Sequence, residues 1–138
     1  MVGFFVFLCG NSMTDKRFST VSRITGAGLG LRSSHYEHIF ETKPNVPWFE
    51  LLSDNYMGGG LPIARAEAIR ELYPITLHCV GMSLGSVDAL DASYMERLKA
   101  LVDRLEPDYV SDHIAWVSVD GKYTHDLLPL PYTETTLK

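Results

Sequence analysis

The sequence predicts an α/β fold, the N-terminal half of a (β/α)8 barrel. Three observations predict it. Short strand-like runs alternate with helix-patterned stretches in the order βαβαβαβ, which favours a parallel sheet with helical crossovers. The runs begin apolar, as strands covered on both faces do. About four βα units fit in the 138 residues, half of a barrel that typically needs ~250 residues.

The elements follow in order. Ile24-Thr-Gly-Ala-Gly-Leu-Gly-Leu31 reads as a glycine-rich first strand, and Ser34 to Glu41 as a short helix. Trp48 to Leu52 is a second strand, set off by Pro44 and Pro47. Met57-Gly-Gly-Gly60 is a loop, because glycine tolerates φ > 0 and cannot hold an element together. Pro62 fits the first turn of the next helix, where its missing N–H costs nothing. Ile63, Ala66, Ile69 and Leu72 then recur at helical spacing to about Tyr73, and Pro74 stops the helix. Ile75 to Val80 is the third strand. Ser93-Tyr-Met-Glu96 has the pattern of a capping box. The helix it opens turns Leu98, Leu101, Val102 and Leu105 inward and ends before Pro107. Tyr109-Val110 begins the fourth strand. Asp120-Gly121, flanked by Val117, Val119 and Tyr123, signals a hairpin, and Thr133 is placed to cap a further helix. There is no internal repeat or low-complexity tract.

Hydrophobic residues make up 46% and charged residues 21%, an ordinary globular balance. A net charge of -5 gives no electrostatic reason to expect a nucleic-acid partner. Two cysteines are too few for a disulfide framework and suit a reducing, cytoplasmic compartment. Val2-Gly-Phe-Phe-Val-Phe-Leu-Cys9 is apolar but far short of the ~20 residues that span a bilayer. It also lacks the basic flank of a signal peptide, with no Lys or Arg before Lys16. Residues 1–12 therefore read as an upstream extension, from a misassigned start, rather than a truncated membrane or export signal. Residues 1–23 are expected to be poorly ordered, and 24–138 to form the half-barrel.

The second, third and fourth strands each deliver Asp, Asn or His near their C-terminal ends, where barrel enzymes keep their chemistry. Asp54 and Asn55 follow the second strand; an Asx turn into the glycine loop would also account for them. Glu50 lies inside that strand, where an acid is costly unless paired or aimed into a polar barrel mouth. His78 interrupts an apolar strand, either as a hydrogen-bonded core residue or as a ligand. Cys79 alternates to the other face and reads as a small buried hydrophobe. Asp112-His113 and His125-Asp126 are adjacent pairs, and a regular strand would aim only one of each inward unless it has already ended. Imidazole and carboxylate arriving from several strand ends suit non-haem iron, manganese or catalytic zinc. Gly26-Ala-Gly-Leu-Gly30 does not match a dinucleotide loop. Gly81-Met-Ser-Leu-Gly85 lacks the strand-to-serine-to-helix context of a hydrolase nucleophile.

Taken in order, Gly28-Leu-Gly-Leu-Arg32 with His35-Tyr36, Phe49-Glu50 with Ser53-Asp-Asn-Tyr-Met57, Leu77-His78 with Val80-Gly-Met-Ser-Leu-Gly85, Ser111-Asp-His-Ile-Ala-Trp116 and Asp126-Leu-Leu-Pro-Leu-Pro-Tyr-Thr133 form a series. It resembles the multinuclear non-haem iron-dependent oxidase (MNIO) family from about Gly26 to Lys138. The resemblance implies a TIM-like barrel of the xylose-isomerase type holding two or three iron ions. It implies dioxygen-dependent oxidation of cysteines in a ribosomally made precursor peptide, to oxazolone–thioamide, thiooxazole or carbon-excised products, often with a small partner protein that presents the peptide.

Carried over position by position, the resemblance implies Asp54, His78, Asp112, His125 and Asp126 as metal ligands. Asp112 and His113 are the implied catalytic pair. Arg32, His35, Glu50 and Asn55 would orient ligands or touch substrate. Asp54 and Asp112 stand where the family has glutamate, one methylene longer, and His125 stands where it has an amide. The further ligands expected from a second barrel half are not in these 138 residues. Two other readings stay open: a divalent-metal barrel isomerase or hydrolase, and a truncated product without activity.

Overall fold

Four strands, β1 (Leu29–Gly30), β2 (Phe49–Leu52), β3 (Ile75–His78) and β4 (Val110–Ser111), lie side by side in sequence order and all parallel in the computed structural model, which describes residues 24–136. The expected extension, residues 1–23, lies outside the described residues. Between the strands run α1 (Tyr36–Thr42), α2 (Gly60–Arg70) and α3 (Ala92–Leu105). After β4 comes an antiparallel hairpin, β5 (Ala115–Val119) and β6 (Lys122–Pro129). The α/β architecture and parallel sheet match the expectation, as three βα units and a fourth strand. No helix among the described residues is long and apolar enough to cross a membrane.

Strand register sorts the side chains. Glu50 stands beside Thr76, Leu52 beside His78, and His78 beside Ser111, so these residues share one face of the sheet. The alternate residues Phe49, Leu51, Ile75, Leu77 and Val110 point the other way and are buried. They pack against Ile39 of α1, Ile63 and Ile69 of α2, and Leu98, Leu101 and Leu105 of α3. One face is thus apolar and roofed by helices, and the other carries polar groups. That division is what a barrel wall needs, with helices outside and polar residues toward the mouth.

The strands are shorter than the apolar runs that announce them. Of residues 24–31 only Leu29–Gly30 is extended in the sheet. Gly26 turns at φ 69, and the Trp48 ring fills the space beside Gly28, where a Cβ would stand 2.2 Å from it. α1 ends at Lys43, whose left-handed backbone (φ 45) lets its N–H reach Ile39 O, just before Pro44. Gly59 and Gly60, both with φ near 70, swing the chain into α2, and Pro62 sits in its first turn as expected. The Arg70 guanidinium then donates to the carbonyls of Leu105 (3.0 Å) and Glu106 (3.3 Å), tying the C-terminal ends of α2 and α3 together.

α3 starts differently from the capping-box expectation. Asp91 is its N-cap, and its carboxylate accepts the N–H groups of Ser93 (2.8 Å) and Tyr94 (3.3 Å). A charged acceptor on orphan amides at the positive end of the helix dipole outcompetes a neutral serine two residues later. Ser93 therefore falls inside the first turn.

The hairpin turn is the expected Asp120-Gly121, with φ 49 and 70, the left-handed pair of a type I′ turn. It is fastened to the long β3–α3 loop. Asp88 accepts from the N–H groups of Asp120 (3.1 Å) and Gly121 (3.2 Å). Ser83 Oγ accepts from Val117 N–H at 2.9 Å, and Gly85 N–H donates to Ala115 O at 2.8 Å. A Cβ at Gly85 would meet Leu130 at 2.6 Å. The serine of Gly81-Met-Ser-Leu-Gly85 is thus a backbone acceptor that holds the hairpin. Between the Trp116–Leu128 and Ser118–Tyr123 pairs, β6 takes five steps where β5 takes two, so Thr124 to Leu127 bulge out.

Replacing the α3 cap separates the two starts. Asp91→Ala is expected to cost about 1 kcal/mol of stability, whereas Ser93→Ala, whose side chain caps nothing, is expected to stay within about 0.5 kcal/mol of wild type. Urea denaturation of the two variants measures this.

Candidate functional site

The C-terminal ends of β2, β3 and β4 bring three segments together, because parallel strands in register end at the same edge. β2 runs into a 3₁₀ turn, Ser53–Asn55, that presents Asp54. β3 ends on His78 and continues through Cys79 into Val80-Gly81-Met82. β4 stops at Ser111, and Asp112 and His113 follow directly.

The imidazoles of His78 and His113 meet there. Their Nε2 atoms are 2.9 Å apart, and the rings cross edge to face at 72°. His78 Nδ1 lies 2.9 Å from Ser111 Oγ, whose hydroxyl donates to Leu77 O at 3.4 Å. With that hydroxyl proton committed to the carbonyl, Nδ1–H is the donor to Ser111 and the Nε2 lone pair faces His113. Burial holds the His78 imidazole below its ordinary pKa; Glu50 opposes this, His113 adds to it, and Asp54 again opposes it. His78 is therefore neutral near pH 7, the form that ligates a metal.

Two acids, both held by amides of the β3–α3 loop, flank the pair. Asp112 is 2% exposed. Its Oδ2 accepts from Met82 N–H at 3.2 Å, and its Oδ1 from the N–H of His113. Burial pushes its pKa up to about 6, against the pull of those two amides and with a smaller push from Asp54. Asp54 is exposed, and its Oδ2 accepts from Val80 N–H at 3.3 Å and from the Tyr94 hydroxyl at 3.2 Å. Glu50 sits one step down the polar face, its charge reaching His78. The Cys79 thiol points to the opposite side, fully buried, and donates to Ser53 Oγ at 3.2 Å. Burial raises its pKa to about 11, so it is a protonated core group.

The other expected residues lie elsewhere. The Arg32 guanidinium folds back over Gly30 at the end of β1, where a Cβ would lie 3.4 Å from it, and donates to Leu31 O. The His35 ring accepts the Arg32 N–H at 3.3 Å, closing its own turn. Asn55 is exposed in the Asp54 turn. His125 and Asp126 sit on the bulge of β6; His125 is exposed with φ 59, and the hydrogen bonds of Asp126 stay within the hairpin. Ser111 and Tyr94 are the contributors that sequence reasoning passed over.

Among the described residues no set of three or more His, Cys, Asp or Glu side chains is arranged to grip one ion. The donor set nevertheless fits a transition metal in kind, imidazole nitrogens beside carboxylate oxygens. His78 and His113 are the residues that would hold a metal, with the carboxylates of Asp54 and Asp112 beside them on loop amides.

Asp112 makes stability depend on pH. Its folded pKa lies above the unfolded value, so its contribution is full below about pH 4 and is lost as pH rises through about 6, an amount of about 3 kcal/mol. His78, held low, contributes in the opposite direction. In the metal-free protein the stability difference between wild type and Asp112→Asn is therefore expected to fall by that amount between pH 4 and 7. Denaturation curves of both proteins across that range measure it.

The RiPP precursor modification enzyme MbnB/TglH/ChrH family model matches residues 26–138. A UPF0276 protein of Acaryochloris marina is 60% identical over 117 residues, which are 85% of this chain and 42% of that one. A UPF0276 protein of Caulobacter vibrioides (strain NA1000 / CB15N) is 47% identical over 120 residues, 86% and 43% of the two chains. One of Paraburkholderia phytofirmans is 43% identical over 131 residues, 94% and 41%. The chain thus spans about two fifths of the length of these curated relatives. The match takes in the parallel sheet, the histidine pair, both acids and the hairpin, and the chain belongs to the MbnB/TglH/ChrH family of RiPP precursor modification enzymes.

Proposed function

We propose that this chain is part of an iron- and dioxygen-dependent oxidase that modifies cysteine residues of a ribosomally made precursor peptide. The observation that carries the reading is the His78–His113 pair, its two Nε2 atoms 2.9 Å apart and flanked by Asp54 and Asp112. Family membership supplies the peptide substrate class. Two or three iron ions, and a small partner protein that presents the peptide, belong to the same proposal. Bound iron supplies a Lewis acid for a cysteine thiolate and a redox centre for dioxygen.

The chain's own residues have separate tasks in this reading. Ser111 fixes the His78 tautomer, so that Nε2 offers a lone pair rather than a proton. Glu50 and Asp54 add negative charge that favours a bound cation beside His78. Asp112, fixed by the amides of Met82 and His113, adds a second carboxylate beside the histidine pair. Arg32, at the end of β1, offers a fixed positive charge to peptide carbonyls. His125 and Asp126 contribute ligands if the β6 bulge folds over the sheet edge.

The test is an anaerobic titration of the purified protein with ferrous iron, followed by exposure of the loaded protein and a cysteine-containing peptide to dioxygen. His78→Ala and His113→Ala are each expected to weaken iron binding at least about tenfold, and Ser111→Ala by about 10- to 100-fold. A dioxygen-dependent mass change that disappears when the peptide cysteine is replaced by serine supports the oxidase. Wild-type protein that takes up no iron refutes it, as does the same reaction proceeding with magnesium under nitrogen.

A further inference from the structure

We propose that Tyr94 is a positioning residue for the Asp54 carboxylate, reaching it across a gap that only a glycine at position 81 leaves open. Tyr94 belongs to the first turn of α3 and is 5% exposed. Its hydroxyl donates to Asp54 Oδ2 at 3.2 Å, and Val80 N–H donates to the same oxygen at 3.3 Å. An exposed aspartate on a three-residue turn otherwise has free choice of rotamer. Two donors arriving from different elements remove that choice.

The phenol is itself fixed before it meets the acid. Asp91, the cap of α3, accepts the backbone N–H of Tyr94, so the cap that starts the helix also sets the residue's place. The Arg97 guanidinium lies over the ring, 5.8 Å from its centre. The Cys79 thiol lies against the same phenol from the β3 side. Gly81 passes between ring and carboxylate. A Cβ there would stand 2.7 Å from Tyr94 Cε2 and 2.9 Å from Asp54 Oδ1. Glycine is needed for room, since its backbone is not in the left-handed region, and any side chain would part the two groups.

The arrangement also couples the two acids. Val80 N–H holds Asp54 and Met82 N–H holds Asp112, so three consecutive residues set the separation of both carboxylates. Tyr94 is the side-chain donor in that clamp and joins it to the helix layer. The clamp stands on contacts of this chain alone; its effect on iron rests on the proposed function.

The test is a double-mutant cycle of Tyr94→Phe and Asp54→Ala, read in two ways. In urea denaturation of the metal-free protein, Tyr94→Phe is expected to lower the folding constant about tenfold when Asp54 is present, and far less beside Asp54→Ala. In anaerobic ferrous iron titration, Tyr94→Phe is expected to weaken binding about 10- to 100-fold and to add nothing to Asp54→Ala. Gly81→Ala is expected to reproduce the iron defect of Tyr94→Phe. Additive effects in the folding cycle overturn the clamp whatever the iron result. Coupled folding with unchanged iron affinity in Tyr94→Phe overturns the positioning role. Coupled folding in a wild type that binds no iron overturns the iron reading and leaves the clamp supported.

Discussion

The whole arrangement depends on the parallel register of β2, β3 and β4. Because Leu52 pairs with His78 and His78 with Ser111, the imidazole is delivered to the uncovered face beside the hydroxyl that orients it. A slip of one residue in either pairing would send His78 into the helix layer and Leu77 to the mouth. The register is held by Leu51, Ile75 and Leu77, all fully buried under α2 and α3. Burying a leucine or isoleucine is worth about 1.5–3 kcal/mol each, several times what a surface ion pair such as Arg65–Glu37 contributes. Core packing on one face thus dictates chemistry on the other.

A second dependence runs through the β3–α3 loop. Val80 and Met82 give their amides to the two acids, while Ser83, Gly85 and Asp88 hold the hairpin. The loop is a junction between the residues that face the histidine pair and the hairpin that carries His125 and Asp126. Its composition reflects that load: two glycines without space for a Cβ, and short polar side chains that accept backbone N–H groups.

Much of this order is legible in the sequence. Pro62 marks where α2 starts, and the apolar spacing of Ile63, Ala66 and Ile69 names its buried face, but the helix ends at Arg70, short of the expected Tyr73 and Pro74, and leaves Leu72 43% exposed. His78 was conspicuous as an imidazole in an apolar strand. What escaped depends on geometry that periodicity does not carry. Asp112 and His113 ought to face opposite ways, yet the strand ends at Ser111 and frees both from alternation. Tyr94 looks like one more amphipathic helix residue, and its partner lies forty positions away. Ser93 imitates a capping box, but the carboxylate of Asp91 takes the N–H groups of Ser93 and Tyr94 and so caps the helix two residues earlier. The β6 bulge comes from unequal strand lengths in a hairpin whose turn alone was readable.

Cys79 adds a consequence of its own. It lies one residue beyond His78, yet its sulfur faces away from the imidazoles, hydrogen-bonded to Ser53 and kept in the thiol form by burial. Only the thiolate reacts readily with oxidants or coordinates metals. If the chain takes part in the proposed oxidation of cysteine sulfur, its own sulfur is kept out of reach on the far side of the sheet, protonated and buried.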